Sequence, residues 1–386
     1  MRKLQPTYHW FSLWIVAALI GCSPDKSVNN PEAEILVSAE ASVSMKPGDV
    51  GCDPAAGITP VCGFKNPEDL REIPGTSLLL VSEMGEFMLD TPGQLSLFDT
   101  ETQSKKPLNI DWATTVPRWG DAQCPAPNIE KFSPHGIDLV TLDDGTLKVL
   151  VVNHGGREAV EFFELLPNRP DSMLTWQGCA IPPDDPFIND VVGLKQGGFF
   201  ATHMWNKSIP FEEVAAQLLR GETTGWVWEW QPGKGFSVLP NSREVMPNGI
   251  AISADEQTLF VNIYMGSRLI KYDRSKKAVT GSVSIRQPDN VTRDDDGMLW
   301  VASHQQDPIK DTCTMEIGPC LLPFEIVRVD PKTLQRETIL SHLGEPMGYA
   351  TVALRAGNTI YLGTAHGDRI ARFALNRQMQ TSSIAE

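Results

Sequence analysis

The feature that most constrains this chain is a hairpin that recurs six times from Glu68 onward. Each copy has an apolar strand, a tight turn and a second strand rich in β-branched, aromatic or leucine residues, which are typical of strands. Gly, Asn or Asp occurs in every turn, because hairpin turns need positive φ angles. The turns are predicted at Pro74–Ser77, Asp143–Thr146, Lys195–Gly198, Ala254–Gln257, Asp294–Gly297 and Arg355–Asn358.

About 320 residues shared by six units leave about 54 for each, somewhat more than a four-stranded blade needs. The predicted fold is therefore all-β, a six-bladed β-propeller. A sandwich or two stacked β-domains is the alternative, but neither explains why the hairpins share one layout. A helix is predicted at Pro210–Gly221, where apolar residues recur at helical spacing. The second strands are predicted at Leu78–Ser82, Leu147–Asn153, Phe199–Thr202, Leu259–Ile263, Met298–Ser303 and Thr359–Gly363.

Polar residues begin most of the predicted first strands. In a propeller these strands surround the axis, so equivalent positions converge on one mouth of the central channel. One such residue is usually a cap or an Asx turn. Five at equivalent strand positions, however, would place carboxylates and amides close together without a compensating positive charge. A hard cation supplies that compensation, and a set made only of oxygens suits calcium better than zinc or copper. The strands begin with Glu68-Asp69, His135-Gly136, Asn189-Asp190, Asn248-Gly249, Asp289-Asn290 and Ala350-Thr351.

The N-terminus has the pattern of an export signal. Arg2-Lys3 precedes an apolar run, Trp10–Ile20, which is too short for a membrane-spanning helix. Small residues before Cys22 resemble a bacterial lipobox, so residues 1–21 are predicted to be a lipoprotein signal peptide and Cys22 to carry lipid. An ordinary secretory peptide is the alternative. Ser23 favours a lipid anchor in the outer membrane, facing the periplasm.

Residues 22–58 are predicted to be a tether, because the segment is rich in Ser, Pro, Glu, Ala and Asn. Within it, Glu34–Val43 is apolar enough to be an edge strand that closes the propeller instead. The propeller itself is predicted to occupy residues 59–386.

Six cysteines remain after Cys22, an even number that suits disulfides in an oxidising compartment. Close spacing suggests 52–62 and 313–320, leaving 124–179, although spacing alone does not determine connectivity. The absence of CxxC or Cys/His spacing disfavours zinc. The formal net charge of -15 disfavours nucleic acid as a partner, since phosphates need a basic face.

Several stretches resemble, in order and at similar spacing, the signature of the paraoxonase/arylesterase family. The similarity covers nearly all of the chain from about residue 60, and the wider superfamily includes gluconolactonases and strictosidine synthases. Each stretch is unspecific alone, but the combination is specific. The stretches are Ser133–Ile137, Val151–His154, Val160-Glu161, Asn189-Asp190, Pro247–Ile250, Asp289-Asn290 and Leu299–Val301.

The resemblance implies two calcium ions. A buried structural ion would be held by Asp69, Asp190 and the backbone carbonyl of Ile137. The ligands implied for a catalytic ion are Glu68, Asn189, Asn248, Asp289 and Asn290.

His135 and His154 match the family's histidine dyad, in which the first is proposed to deprotonate water and the second to relay the proton. Taken alone, His154 would be interpreted as a core histidine. Asp289 or Glu68 is the alternative base.

The implied activity is calcium-dependent hydrolysis of a small lactone or aryl ester, with water attacking a carbonyl polarised by Ca²⁺. A Gly-x-Ser-x-Gly elbow is absent, which disfavours a serine hydrolase. Two alternatives are a metal-independent enzyme of the strictosidine-synthase type and a non-catalytic binding lipoprotein that uses calcium for structure only.

Four residues are expected on the substrate pocket wall: His203, Met204, Met246 and His304. The predicted helix falls where the family places one over the active-site mouth. The pair His203-Met204 departs from an Asn-Asp pair of the mammalian enzymes, so substrate preference does not transfer. No cysteine lies near the C-terminus, so closure of the propeller is expected to depend on strand pairing alone.

Overall fold

The computed structural model describes residues 50–375, apart from residues 88, 90, 115–117, 170–172, 308–310, 312 and 314–316. The predicted signal peptide, Cys22, most of the tether and the alternative edge strand Glu34–Val43 lie outside the described residues.

Six sheets surround a central channel, and the predicted six-bladed β-propeller is confirmed. Each inner strand contacts the inner strand of the next blade, and the ring closes between the sixth blade and the first. Because the inner strands are neighbours around the axis, residues at equivalent positions of different blades come together in the channel.

The strands are numbered in chain order, and each set below runs from the first blade to the sixth. The inner strands are β2 (Pro67–Glu72), β7 (Pro134–Thr141), β11 (Pro186–Gly193), β15 (Pro247–Ile252), β19 (Pro288–Arg293) and β23 (Ala350–Ala356). The second strands are β3 (Leu78–Glu83), β8 (Leu147–Asn153), β12 (Phe199–Asn206), β16 (Thr258–Ile263), β20 (Leu299–His304) and β24 (Thr359–Thr364). The third strands are β4 (Gln94–Asp99), β9 (Ala159–Leu165), β13 (Trp226–Gln231), β17 (Arg268–Asp273), β21 (Phe324–Val329) and β25 (Arg369–Ala374). The outer strands are β5 (Ser104–Lys106), β10 (Leu174–Ala180), β14 (Gly235–Val238), β18 (Ala278–Ser284), β22 (Arg336–His342) and, for the sixth blade, β1 (Thr59–Cys62).

The second blade has a fifth strand, β6 (Ile110–Asp111), which runs parallel to β10. A helix, α1 (Phe211–Leu219), connects β12 to β13, and a 3-10 turn occupies Ile129–Lys131. The helix is shorter than predicted, because Pro210 and Arg220 occupy its caps. None of the described helices is long and apolar enough to cross a membrane.

The predicted second strands agree closely with the observed ones. Four start at the predicted residue, and the other two start one residue away, at Thr258 and Leu299. Turn chemistry acts locally, which is why sequence predicts these hairpin boundaries well.

The core lies between adjacent blades. For example, Phe162 of the second blade contacts Phe199 and Trp230 of the third, with ring centroids 5.9 Å and 5.6 Å away. All three side chains are almost fully buried. Such contacts hold the sheets around the channel and leave its interior for polar side chains.

Closure of the ring combines the N-terminal and C-terminal ends of the described chain. Strand β1 pairs antiparallel with β25, so the closing strand is Thr59–Cys62. Arg369 adds to this pairing, because its guanidinium donates to the backbone carbonyls of Val50, Gly51 and Pro346. The expectation that closure depends on strand pairing alone is therefore wrong: a buried arginine also binds the segment before β1.

Three disulfides are present, and they are the pairs that the spacing suggested. Cys52 bonds to Cys62 and so ties the same segment to β1. The other two bonds are Cys124–Cys179 and Cys313–Cys320.

Candidate active site

The polar residues that begin the inner strands lie where the strand register shifts. In all six blades the pairing between the inner and second strands is irregular at these positions, as between Pro67 and Asp69 or between Pro247 and Ile250. A bulge leaves residues out of the ladder and redirects their side chains. The repeated bulge thus presents one polar residue or more from each blade at one end of the channel.

Two glycines permit the close approach of neighbouring strands at this level. A Cβ on Gly136 would lie 2.5 Å from the carbonyl oxygen of Asn189, and one on Gly249 would lie 2.5 Å from that of Asp289. These distances are shorter than any normal contact, so residues next to His135 and Asn248 must lack a side chain.

The five ligands predicted for a catalytic calcium are all buried, with at most 7% of any residue exposed. Four of their side-chain oxygens have no hydrogen-bond partner, and burying such groups unpaired is costly. Carboxylate and amide oxygens are the ligands that calcium prefers, so this set fits a hard cation. The four atoms are Glu68 Oε2, Asn189 Oδ1, Asn248 Oδ1 and Asn290 Oδ1.

Hydrogen bonds donated by the amide nitrogens explain which oxygens are left without a partner. Asn290 Nδ2 donates to Glu68 Oε1 at 2.6 Å, and Asn189 Nδ2 lies 3.3 Å from His135 Nε2. Asn248 in turn hydrogen-bonds the Asp289 carboxylate. Each amide is thereby oriented with its oxygen unpaired. Among the described residues no group of three His, Cys, Asp or Glu forms a metal cluster, which is consistent with a set in which amides are the majority.

Burial disfavours negative charge in this site. It raises the pKa of Glu68 well above its usual range, and the charges of Asp69 and Asp289 add to the effect. Burial likewise raises the pKa of Asp289 to about 8. A cation beside these carboxylates would favour their ionised forms.

The residues predicted to hold the structural calcium do not have comparable unpartnered oxygens. Asp69 Oδ1 lies 2.7 Å from an Arg71 guanidinium nitrogen, and Asp69 Oδ2 accepts from the Ile137 N–H at 2.9 Å. The Asp190 carboxylate also accepts backbone N–H groups. An arginine therefore faces the carboxylates expected to bind the second ion, and these residues do not fit it.

The two predicted histidines are in direct contact and continue to a carboxylate. His135 Nδ1 lies 2.9 Å from His154 Nε2, and His154 Nδ1 lies 3.0 Å from both oxygens of Glu158. Glu158 also contacts Lys207 Nζ at 3.0 Å. Glu158 was missed from the sequence, and its position four residues after His154 is the signal that points to it.

The ionisation states of His135 and Glu158 follow from burial and from neighbouring charges. Burial, followed by the neighbouring His154, lowers the pKa of His135 well below its usual value. Burial opposes ionisation of Glu158, but His154 and Lys207 hold the pKa of that carboxyl below its usual value. His135 is therefore neutral and Glu158 ionised near neutral pH.

A cavity of about 280 Å³ is lined by His135 and by four of the five predicted ligand residues, all except Asn290. Met204 and Met246 line it, as expected, and so does the helix α1. Most of its wall is apolar. The lining side chains that were missed from the sequence include Met84, Phe87, Tyr264, Met265, Gln306 and Tyr349.

His203 and His304 do not line this cavity, contrary to expectation. The His203 ring stacks on Trp226 with centroids 4.1 Å apart, and burial lowers its pKa to about 4. The His304 ring stacks on Tyr349, and its Nδ1 lies 2.9 Å from the Tyr264 hydroxyl. Its Nε2 lies 3.5 Å from Asp289 Oδ2, so His304 borders the predicted ligand residues without lining the cavity. Burial lowers the pKa of His304 to about 3.

The fold and the site together define a class: a six-bladed propeller with buried, unpartnered side-chain oxygens and a histidine pair at one mouth of its channel. A family model described as Arylesterase matches residues 66–370. The chain therefore belongs to the arylesterase family.

Comparisons with individual proteins give more distant similarities. The chain is similar to serum paraoxonase/arylesterase 2 of Rattus norvegicus, at 24% identity over 56% of this chain and 59% of the relative. It is also similar to serum paraoxonase/arylesterase 1 of Homo sapiens, at 23% identity over 61% and 66%, respectively. The chain thus spans less than two thirds of either relative. A gluconolactonase structure from Xanthomonas campestris has a TM-score of 0.49 at 16% identity, covering 87% of this chain and 93% of that chain.

Proposed function

We propose that this protein is a calcium-dependent hydrolase of small lactones or aryl esters. One observation carries the proposal: the residues that bear three unpartnered buried oxygens, Glu68, Asn189 and Asn248, line one apolar cavity together with a neutral histidine. Family membership supports the same class of chemistry.

The proposed ligands of the ion are the side chains of Glu68, Asn189, Asn248, Asp289 and Asn290. When bound there, Ca²⁺ would supply a Lewis acid for a substrate carbonyl.

Hydrogen bonding determines which nitrogen of His135 is available as a base. The ionised Glu158 can only accept, so His154 donates to it from Nδ1, and in the neutral form of His154 Nε2 is the acceptor. His135 then donates from Nδ1, and Asn189 Nδ2 lies 3.3 Å from the lone pair that is left on His135 Nε2. That nitrogen lies 3.6 Å from Glu68 Oε1, at the floor of the cavity. His135 is thus arranged to take a proton from water, and the resulting charge is stabilised through His154 by Glu158.

The cavity favours small, uncharged substrates. Its described lining contains no Lys or Arg, so an anionic substrate group away from the proposed ion would lack a counter-charge. The volume of about 280 Å³ is at the lower end for ligand sites. Leu218 and Leu219 of α1 help to keep water from the bound ester.

The test is hydrolysis of a panel of lactones, aryl esters and phosphotriesters by calcium-loaded protein, by protein treated with EDTA, and after calcium is restored. We expect turnover of a lactone or aryl ester that is lost with EDTA and regained with calcium. Turnover that persists without metal favours the metal-independent alternative. Bound calcium with no turnover of any substrate favours the binding-protein alternative.

We also propose that the protein is exported, lipidated at Cys22 and held at the outer membrane facing the periplasm. The sequence pattern of residues 1–58 supports this, and the three disulfides suit an oxidising compartment.

A further inference from the structure

Below the proposed calcium ligands, the channel contains an arginine among three aspartates. Arg71 belongs to β2, and its side chain is only 12% exposed. Its guanidinium nitrogens lie 2.7 Å from Asp69, 3.5 Å from Asp138 and 3.8 Å from Asp190. These aspartates come from three adjacent inner strands, so one cation connects the first three blades at the axis.

The spacing along β2 explains this position. Side chains at i and i+2 of a strand point to the same face, so Asp69 and Arg71 both face the channel. An arginine is always charged and presents five N–H donors in a rigid fork, which suits contacts with several carboxylates.

The carboxylate oxygens at this level already have hydrogen-bond donors, unlike those of the calcium ligands above. All four oxygens of Asp69 and Asp190 accept a backbone N–H at 2.8–2.9 Å. None of these oxygens is unpartnered, whereas four oxygens of the upper set are. The donors are the N–H groups of Leu70, Ile137, Val191 and Ile250.

We propose that the Arg71 guanidinium takes the place of the structural calcium, so that each chain binds a single Ca²⁺ ion. This inference rests on the proposed function only for the ion at the upper site. A fixed cation on the chain neutralises Asp69 and Asp190 without metal, and it repels a divalent ion from the same position.

Arg71 can be reached from the other end of the channel. Arg71 and Asp138 line a cavity of about 650 Å³ at the other end of the inner strands. A cation in this cavity would meet the charge of Arg71, whereas Asp69 and Asp190 are fully buried and do not line the cavity.

The number of ions per chain tests the proposal. Full-length protein is stripped with EDTA, refilled with Ca²⁺, and measured by native mass spectrometry and by calorimetric titration. We expect one ion in the wild type and none in Asn248→Ala, which locates the ion at the upper site. Two ions in the wild type would overturn the inference and leave the proposed function intact. No ion in the wild type would overturn both.

Arg71→Met removes the charge but keeps much of the side-chain volume. We expect this variant to bind two ions, while Arg71→Lys and the matched control Arg355→Met bind one. Arg355 is also an inner-strand arginine beside the lower cavity, but it pairs with Asp294 and Asp296 instead. A folded Arg71→Met variant that binds one ion would show that Arg71 does not occupy an ion site. If the variant does not fold, the wild-type stoichiometry alone decides.

Discussion

His154 Nδ1 lies 3.0 Å from both carboxylate oxygens of Glu158, and this contact extends the histidine pair into a chain of three groups. The carboxylate is itself held by the Ile188 N–H at 2.7 Å and by Lys207 at 3.0 Å. Glu158 therefore orients His154 and, through it, the nitrogen with which His135 takes a proton.

Glu158→Gln should lower kcat for the best lactone by up to about 10²-fold, near the lower limit for loss of general-base assistance. KM should change little, because Glu158 does not line the cavity. The pH dependence of kcat should shift, since the charge that favours a protonated dyad is lost. Glu161→Gln is the matched control: this buried glutamate pairs with Arg157 and does not contact His154. If kcat and its pH dependence changed equally in both variants, the effect of Glu158→Gln would be purely structural.

His135→Gln should lower kcat by about 10²–10⁴-fold, the usual effect of removing a general base. Calcium affinity should change little, because His135 is outside the proposed ligand set. His154→Gln should fall between this variant and the wild type. His342→Gln, a change far from the cavity, should leave kcat unaltered. Normal activity of His135→Gln would transfer the base role to Asp289 or Glu68.

Asn248→Ala should lose activity and calcium binding together, because it removes an unpartnered oxygen of the proposed set. Comparison with His135→Gln separates metal binding from proton transfer. Calcium affinity is measured by titration, and kcat is measured in parallel for each variant. An Asn248→Ala variant with normal calcium affinity would contradict the ligand assignment.

Removal of calcium should lower the melting temperature. A ligand at 100–1,000 times its Kd, bound only by the folded state, stabilises it by about 2.7–4.1 kcal/mol. Without the ion, the buried carboxylates of Glu68 and Asp289 lose the positive charge that stabilises their ionised forms. Thermal unfolding with calcium and with EDTA measures the effect, and equal melting temperatures would count against a bound ion.

Arg369→Met should lower the free energy of unfolding by about 2–3 kcal/mol, because hydrogen bonds to a buried charge are lost at the closure of the ring. Lys276→Met is the control, since Lys276 is largely exposed. Urea unfolding measures both. If the two variants are equally stable, Arg369 does not contribute to closure.

Cys22→Ala should release the protein from the membrane fraction, because the proposed lipid anchor is lost. Fractionation of cells that express each form, followed by immunodetection, measures the distribution. An unchanged distribution would contradict lipidation at Cys22. Release of both forms would indicate an ordinary secretory signal.

The sequence by itself determined the architecture, because the hairpin repeat depends on local rules. Turn residues and strand propensities act over a few positions, so they recur in every blade and reveal the number of blades. The polar starts of the inner strands, such as Glu68 and Asn248, were visible for the same reason. Because these residues occupy equivalent positions in their strands, a propeller fold places them at one mouth of the channel.

Only the tertiary structure decided which side chains meet across blades. Arg71 lies among three aspartates because β2, β7 and β11 are neighbours around the axis, and no local pattern reveals their distances. His203 and His304 were expected on the pocket wall, but their rings pack on Trp226 and Tyr349, and neither lines the cavity although His304 lies 3.5 Å from Asp289. Closure likewise depends on residues far apart in the chain. Such contacts arise from packing and electrostatics between distant segments, which a linear sequence does not display.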